Sequence, residues 1–148
     1  VLNAAPALPL PAALIERADL IIVNETEFAQ LPELEKADGA VAVTLGGDGA
    51  ILRRNGRVVA RAEGTRVAVA NTVGAGDAFC AALTLALISG LTDDEALRCA
   101  CAVGAAAVID PHSQPRLQPL ASYSSALTDS PPRPATSPPP RDQPSGRG

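Results

Sequence analysis

The residues best suited to chemistry are Gly74-Ala75-Gly76-Asp77, a short turn that runs directly into an apolar stretch beginning at Ala78. Glycines let a backbone come close to a ligand, and the first amides of a helix have no internal acceptors. With the helix dipole, such amides make a site for an anion of phosphoryl size. A carboxylate at the same point, Asp77, can take the proton from a hydroxyl as that hydroxyl attacks phosphorus. The same four residues also suit a plain tight turn with a capping aspartate, and so short a glycine motif leaves both readings open. Two common nucleotide signatures are absent. Gly-x-Gly-x-x-Gly would need glycine where Phe79 stands, and no Gly-Lys-Ser/Thr occurs.

The elements that must hold this turn follow from hydrophobic pattern. Residues 19–23 are an apolar, β-branched run that reads as a buried strand, delivering Asn24 and Glu27 to its carboxyl end. Residues 40–44 read as a second strand, stopped by the glycine-rich turn Leu45-Gly46-Gly47-Asp48-Gly49. Residues 50–54 and 57–60 flank Asn55-Gly56, a hairpin with a type I′ turn. Alternation over residues 65–70 predicts one more strand. Residues 78–89 are apolar on all faces and predict a buried helix, with Asp77 recessed at its start and Gly90 capping its end. Thr92 and Glu95 form a capping box for a second helix through residues 96–108, which must stop before Pro111. Strands, glycine turns and helices in this order predict an α/β layered domain.

Residues 121–148 hold seven prolines in 28 positions and almost no large apolar side chains, so they read as a disordered Pro/Ser-rich tail. The packed domain is then residues 1–120. The tail carries Arg133, Arg141 and Arg147 against Asp129 and Asp142, a balance of +1; the chain is −4, so the body is −5. An acidic body with a single lysine offers no basic stripe for nucleic acid. The apolar run over residues 78–91 is too short to span a membrane. Cys80, Cys99 and Cys101 lack metal-ligand spacing and read as small core residues of a reduced, cytoplasmic protein. The chain opens on Val1 and contains no methionine, which reads as a fragment.

Asn71-Thr-Val-Gly-Ala-Gly-Asp-Ala-Phe79 resembles the Asp-Thr-x-Gly-Ala-Gly-Asp-x-Phe signature of ribokinase-like (PfkB-type) carbohydrate kinases. Asn3-Ala-Ala-Pro6, Asn24-Glu-Thr-Glu27 and Thr44-Leu-Gly-Gly-Asp-Gly49 resemble that family's Asn-Pro-Ala-Pro, Asn-x-x-Glu and Thr-Leu-Gly-x-x-Gly segments, in family order. The resemblance covers about residues 1–120 and corresponds to the family's C-terminal half. It implies a ribokinase-like layered sheet, truncated on its N-terminal side. It also implies ATP-dependent phosphorylation of a sugar or sugar-like alcohol. Asp77 would be the general base, and the amides of Gly74, Ala75 and Gly76 would hold the γ-phosphoryl charge. Asn24, Thr44, Gly46, Gly47 and Gly49 would line the nucleotide. Glu27 would help place Mg²⁺, through water, because Mg²⁺ dehydrates reluctantly. A homodimer of the full-length enzyme is compatible with the resemblance.

Three departures from the pattern carry expectations of their own. Asn71 replaces the signature's first aspartate, and Arg116 falls near the loop that supplies oxygen ligands to a monovalent cation in several members; both argue against a cation site here. Only 19 residues separate Asn24 from Thr44, short for the usual crossover, which predicts an altered sheet edge. The half that supplies most sugar contacts in the family has no counterpart in the chain. A second reading therefore stands beside the kinase: a non-catalytic remnant that binds nucleotide weakly or serves as a folded partner module.

Overall fold

The computed structural model describes residues 1–68, 70–112 and 116–123. Five strands, β1 (Leu2–Asn3), β2 (Leu20–Asn24), β3 (Ala40–Thr44), β4 (Gly49–Arg54) and β5 (Arg57–Glu63), lie side by side in chain order. The first three are parallel, and β4 and β5 add on as antiparallel neighbours. The expected strands over 19–23 and 40–44 are therefore present, as is the hairpin, in which Asn55 and Gly56 both take positive φ (49° and 71°). That is the backbone a type I′ turn demands.

Side-chain alternation divides the core into two. Leu20, Ile22, Ala40, Ala42, Leu52 and Ala60 face helices α3 (Ala75–Ile88) and α4 (Asp93–Ile109). Ile21, Val23, Val41 and Val43 face the other way, onto Ile15 of α1 (Ala12–Arg17) and Leu34 of a 3₁₀ turn over Pro32–Lys36. Burial on both faces is why β2 and β3 read as unbroken apolar runs. Leu83 and Leu97, each fully enclosed, fix α3 and α4 against the sheet. Truncating either to alanine would cost about 2–5 kcal/mol through lost contacts and a residual void.

The short crossover joins β2 and β3 as parallel neighbours. Helix α2 (Glu25–Gln30) starts immediately after β2, with Asn24 serving as both last strand residue and N-cap, so no residues are spent on a loop. The 3₁₀ turn then returns the chain, and β2 pairs with β3 in parallel from Leu20↔Ala40 to Asn24↔Thr44.

Two expectations are corrected. Residues 65–68 form no strand. Beyond β5, a side chain on Gly64 would collide with the Gly47 carbonyl, so the two backbones lie in direct contact there. Farther on, the amides of Ala70 and Asn71 bond to the Val108 carbonyl at 2.8 and 3.1 Å. The chain thus turns from the sheet to the end of α4. Helix α3 begins at Ala75, three residues earlier than the apolar pattern indicates, and it is not buried all round: Leu85 and Ile88 are 49% and 75% exposed. Its other end matches expectation, with Gly90 at φ 85° and the Leu91 amide returning to the Ala86 carbonyl. The Thr92–Glu95 capping box opens α4 as its spacing indicates.

Packing continues a little past residue 120. Leu120 and Tyr123 lie partly buried against the α3–α4 core, and the Tyr123 hydroxyl accepts the Gln118 amide at 3.1 Å. Most of the expected tail, residues 124–148, lies outside the described residues.

Candidate active site

Asn24 and Thr44 are register partners at the carboxyl ends of β2 and β3. In open α/β sheets this end is where ligands bind. The Thr44 hydroxyl donates to the Val23 carbonyl at 3.4 Å, tying the two strand ends together. Asn24 forms a reciprocal capping box: its Oδ1 accepts the Glu27 amide, and its own amide donates to Glu27 Oε2, both at 2.8 Å. The Asn24 side-chain oxygen is thus committed to the start of α2 and to holding Glu27. Glu27 keeps Oε1 unengaged among the described residues.

A cavity of about 490 Å³ opens between the turn after β3 and the start of α3. Thr44, Gly46, Gly47 and Gly49 form one wall, with Ala75 and Gly76 across from them. Its size falls in the range of small-molecule sites, about 300–1,000 Å³. A Cβ at Gly46, Gly47 or Gly76 would meet nothing within 4 Å, so these glycines leave room that side chains would occupy. Gly49 has a different reason to be glycine. It sits at φ 104°, and a Cβ there would strike the Ala62 carbonyl of β5. Six of the residues singled out in the sequence therefore meet at one cavity, while Asn24, Glu27, Gly74 and Asp77 are outside its wall.

The start of α3 is set by Gly74, which takes φ 82°, the left-handed region that favours glycine. The Ala75 amide donates to the Thr72 carbonyl at 3.4 Å, and Ala78 to that of Gly74 at 2.9 Å. The amides of Gly76 and Asp77 have no acceptor among the described residues. The Gly74 amide is open among the described residues as well, so of the three expected donors Ala75 is the one already engaged. Asp77 is exposed rather than recessed. Ala78, Phe79, Ala82, Leu83 and Ala86 turn inward, which puts Asp77 on the outer face with Ala81, Leu85 and Ile88. Burial pushes the Cys80 thiol up, and the charge of Asp77, then of Glu27, pushes it farther. Both carboxylates therefore lie within electrostatic reach of one thiol.

Several cavity residues carry no sequence signal. Cys101, Gly104 and Val108 come from α4, where they look like core, and burial lifts the Cys101 thiol to about 11. Arg66 was hidden by the expected strand over 65–70. It lines the cavity instead, with no ion-pair partner among the described residues. No group of three or more His, Cys, Asp and Glu among those residues is arranged to hold a metal.

The two positions that depart from the family signature lie at the same end. Asn71 Oδ1 accepts the Val73 amide at 2.9 Å, and its Nδ2 donates to the Pro111 carbonyl at 3.4 Å. Asp110 accepts the amides of Arg116 and His112 and bonds to His112 Nδ1 at 2.8 Å. These bonds hold its carboxyl at about 2.

The model of the pfkB family carbohydrate kinases matches residues 1–118. The chain is 33% identical over 126 residues to a ribokinase of Haemophilus influenzae, covering 73% of this chain and 40% of that protein. An Arabidopsis thaliana ribokinase, solved with ribose and ATP, superposes with a TM-score of 0.72 at 27% identity, covering 87% of this chain and 47% of that one. A nucleoside kinase of Burkholderia thailandensis, solved with inosine, gives 0.68 at 25% identity, covering 79% and 43%. The chain spans less than half the length of each of these relatives. No helix among the described residues is long and apolar enough to cross a membrane. With its ribokinase-type α/β fold and a family match over most of its length, the chain belongs to the pfkB family of carbohydrate kinases.

Proposed function

We propose that the chain is the nucleotide-binding, catalytic part, corresponding to the family's C-terminal half, of a kinase that transfers the γ-phosphoryl of ATP to a sugar or sugar-like hydroxyl. One observation carries the reading: the turn after β3 and the start of α3 share a cavity of about 490 Å³ whose glycines leave ligand-sized space beside unpartnered helix amides. The family relatives solved with ATP, ribose and inosine supply the ligand class.

Asp77 stands one residue past Gly76, at the mouth of this helix start, where it would accept the proton of the attacking hydroxyl. The amides around Gly74–Asp77 would meet the negative charge that builds on the transferring phosphoryl oxygens, where preorganised donors act most strongly. Thr44, Gly46 and Gly47 would line the nucleotide. Mg²⁺ fits the donor set only as a partly hydrated ion, because Glu27 offers one open oxygen and no three-residue cage exists among the described residues. Bound there beside the phosphates, the ion would neutralise charge during transfer. The capping box, in this reading, aims the Glu27 carboxylate rather than placing Asn24 on the ligand.

Titration calorimetry with Mg·ATP and with NAD tests the reading. Saturable binding of Mg·ATP in preference to NAD is expected. Binding of NAD and not of ATP would overturn it. The activity of the whole protein needs the remaining sugar-binding surface, so turnover is expected only when this chain is joined to an N-terminal half of ribokinase type. A completed enzyme that binds nucleotide yet transfers no phosphoryl group, with Asp77 intact, would favour the non-catalytic remnant.

A further inference from the structure

Resting on the kinase reading above, we infer that Asn71 is the positioning residue of the phosphoryl cradle, clamping the turn before α3 onto the far end of α4. Its backbone amide and that of Ala70 both donate to the Val108 carbonyl, at 3.1 and 2.8 Å. Its side chain works in two directions at once: Oδ1 accepts the Val73 amide at 2.9 Å, and Nδ2 donates to the Pro111 carbonyl at 3.4 Å. Asparagine alone among side chains of this length has both an acceptor and a donor for these two tasks without a charge. The result is a turn closed at Val73, one residue before Gly74 adopts φ 82° and three before the open amide of Gly76.

The other side of the clamp is itself held. Asp110, next to Pro111, gathers the amides of His112 and Arg116 and the His112 ring, at 3.0 Å or less, so the Pro111 carbonyl rests on an ordered corner. Val108 and Thr72, on either side of the clamp, both line the nucleotide cavity, as does Ala75 at the head of α3. A shift of Asn71 therefore moves the open amides relative to the cavity wall. Gly104 and Ala105 of α4 line the rest of the wall and make none of the clamp's hydrogen bonds. The clamp thus governs the phosphate end of the site more than the remainder.

Asn71→Ser and Asn71→Ala separate the two tasks without adding charge. Serine can still accept the Val73 amide but is too short for Pro111; alanine loses both bonds. Calorimetry on the full chain should show Mg·ATP affinity falling in the order Asn, Ser, Ala. About threefold to tenfold is expected for the alanine variant, the size of one or two neutral hydrogen bonds. Adenosine affinity should stay within about twofold. Equal loss of ATP and adenosine, or no loss of ATP, would overturn the positioning role. Hydrogen exchange reads the clamp with no nucleotide present: the amides of Val73 and Ala75 should exchange faster in Asn71→Ala while those of β2 and β3 keep their rates. Unchanged exchange at Val73 and Ala75 would overturn the clamp itself. A wild-type chain that binds neither nucleotide nor nucleoside would sink the kinase reading and the phosphate role together, and the exchange result would still judge the clamp.

Discussion

Arg54 at the end of β4 grips Asp93 at the start of α4 with two prongs, Nε to Oδ2 at 2.9 Å and Nη2 to Oδ1 at 2.8 Å. The pair joins elements 39 residues apart and fixes the first turn of α4 over the hairpin. The hydrogen bond from Arg54 holds the Asp93 carboxyl below the ordinary aspartate value of 3.8. A lowered folded-state value means the stabilisation is complete above that ordinary value and fades as pH falls through the folded one. Because the side chains are 39% and 28% exposed, solvent screening limits the pair to about 0.5–1 kcal/mol. Asp93→Asn is expected to lower the melting temperature slightly at pH 7 and to narrow its gap to the wild type as acid is added. An undiminished gap at the lowest pH would show that the carboxylate is not responsible.

Asn24 and Glu27 cap each other, which gives their substitutions different outcomes. Asn24→Ala should destabilise the fold by about 1 kcal/mol, the usual cost of losing an N-cap side chain. Glu27→Gln can keep the capping contact, so its melting temperature should remain close to wild type. Its nucleotide binding should instead lose most of its Mg²⁺ dependence, measured as ATP affinity with magnesium and with a chelator. An unaltered magnesium response would remove Glu27 from the metal's surroundings.

Arg66 lines a cavity that would receive a polyanion, and it has no ion-pair partner among the described residues. Charge-assisted hydrogen bonds to phosphate are stronger than neutral ones. Arg66→Gln should therefore weaken Mg·ATP binding about fivefold or more, a loss near 1 kcal/mol, and adenosine binding much less. Competition calorimetry distinguishes the two ligands. Equal affinity of the variant and wild type for Mg·ATP would leave Arg66 as a solvated rim residue.

Residues 124–148 hold seven prolines and a single large apolar side chain, Leu127, so their removal is expected to leave the melting temperature unchanged. Cutting from position 122 is different, because it also takes Tyr123 away from the α3–α4 core. A drop of a few degrees is expected for that shorter chain, and calorimetric melting of the two truncations settles the boundary.

Asp77→Asn in a completed enzyme should cut turnover by about 10²–10⁴-fold, the usual range for losing a general base. The amide keeps the shape of the carboxylate but accepts no proton, so Mg·ATP affinity should stay within about twofold. Steady-state kinetics beside calorimetry reads both. Normal turnover of the variant would refute the base assignment.

Local chemistry made much of this protein legible from its residues alone. Unbroken apolar runs rich in β-branched residues marked β2 and β3, Asn55-Gly56 marked the hairpin, and Thr92 with Glu95 marked the start of α4, because each depends on contacts a few residues apart. The glycine turns were visible for the same reason, and they led to the family. Where pattern misled, a distant partner decided. Residues 65–68 alternate like a strand, yet the Gly64–Gly47 contact and the Val108 carbonyl draw the chain away from the sheet. Asp77 looked recessed because its helix is apolar all round, but packing against the sheet buries only one face and leaves Asp77 on the other. Arg66, Cys101 and Val108 reach the same cavity only after β5, α3 and α4 have docked. Spacing along a chain encodes turns and caps; which side chains share a cavity is settled by packing between elements, which no short stretch of sequence contains.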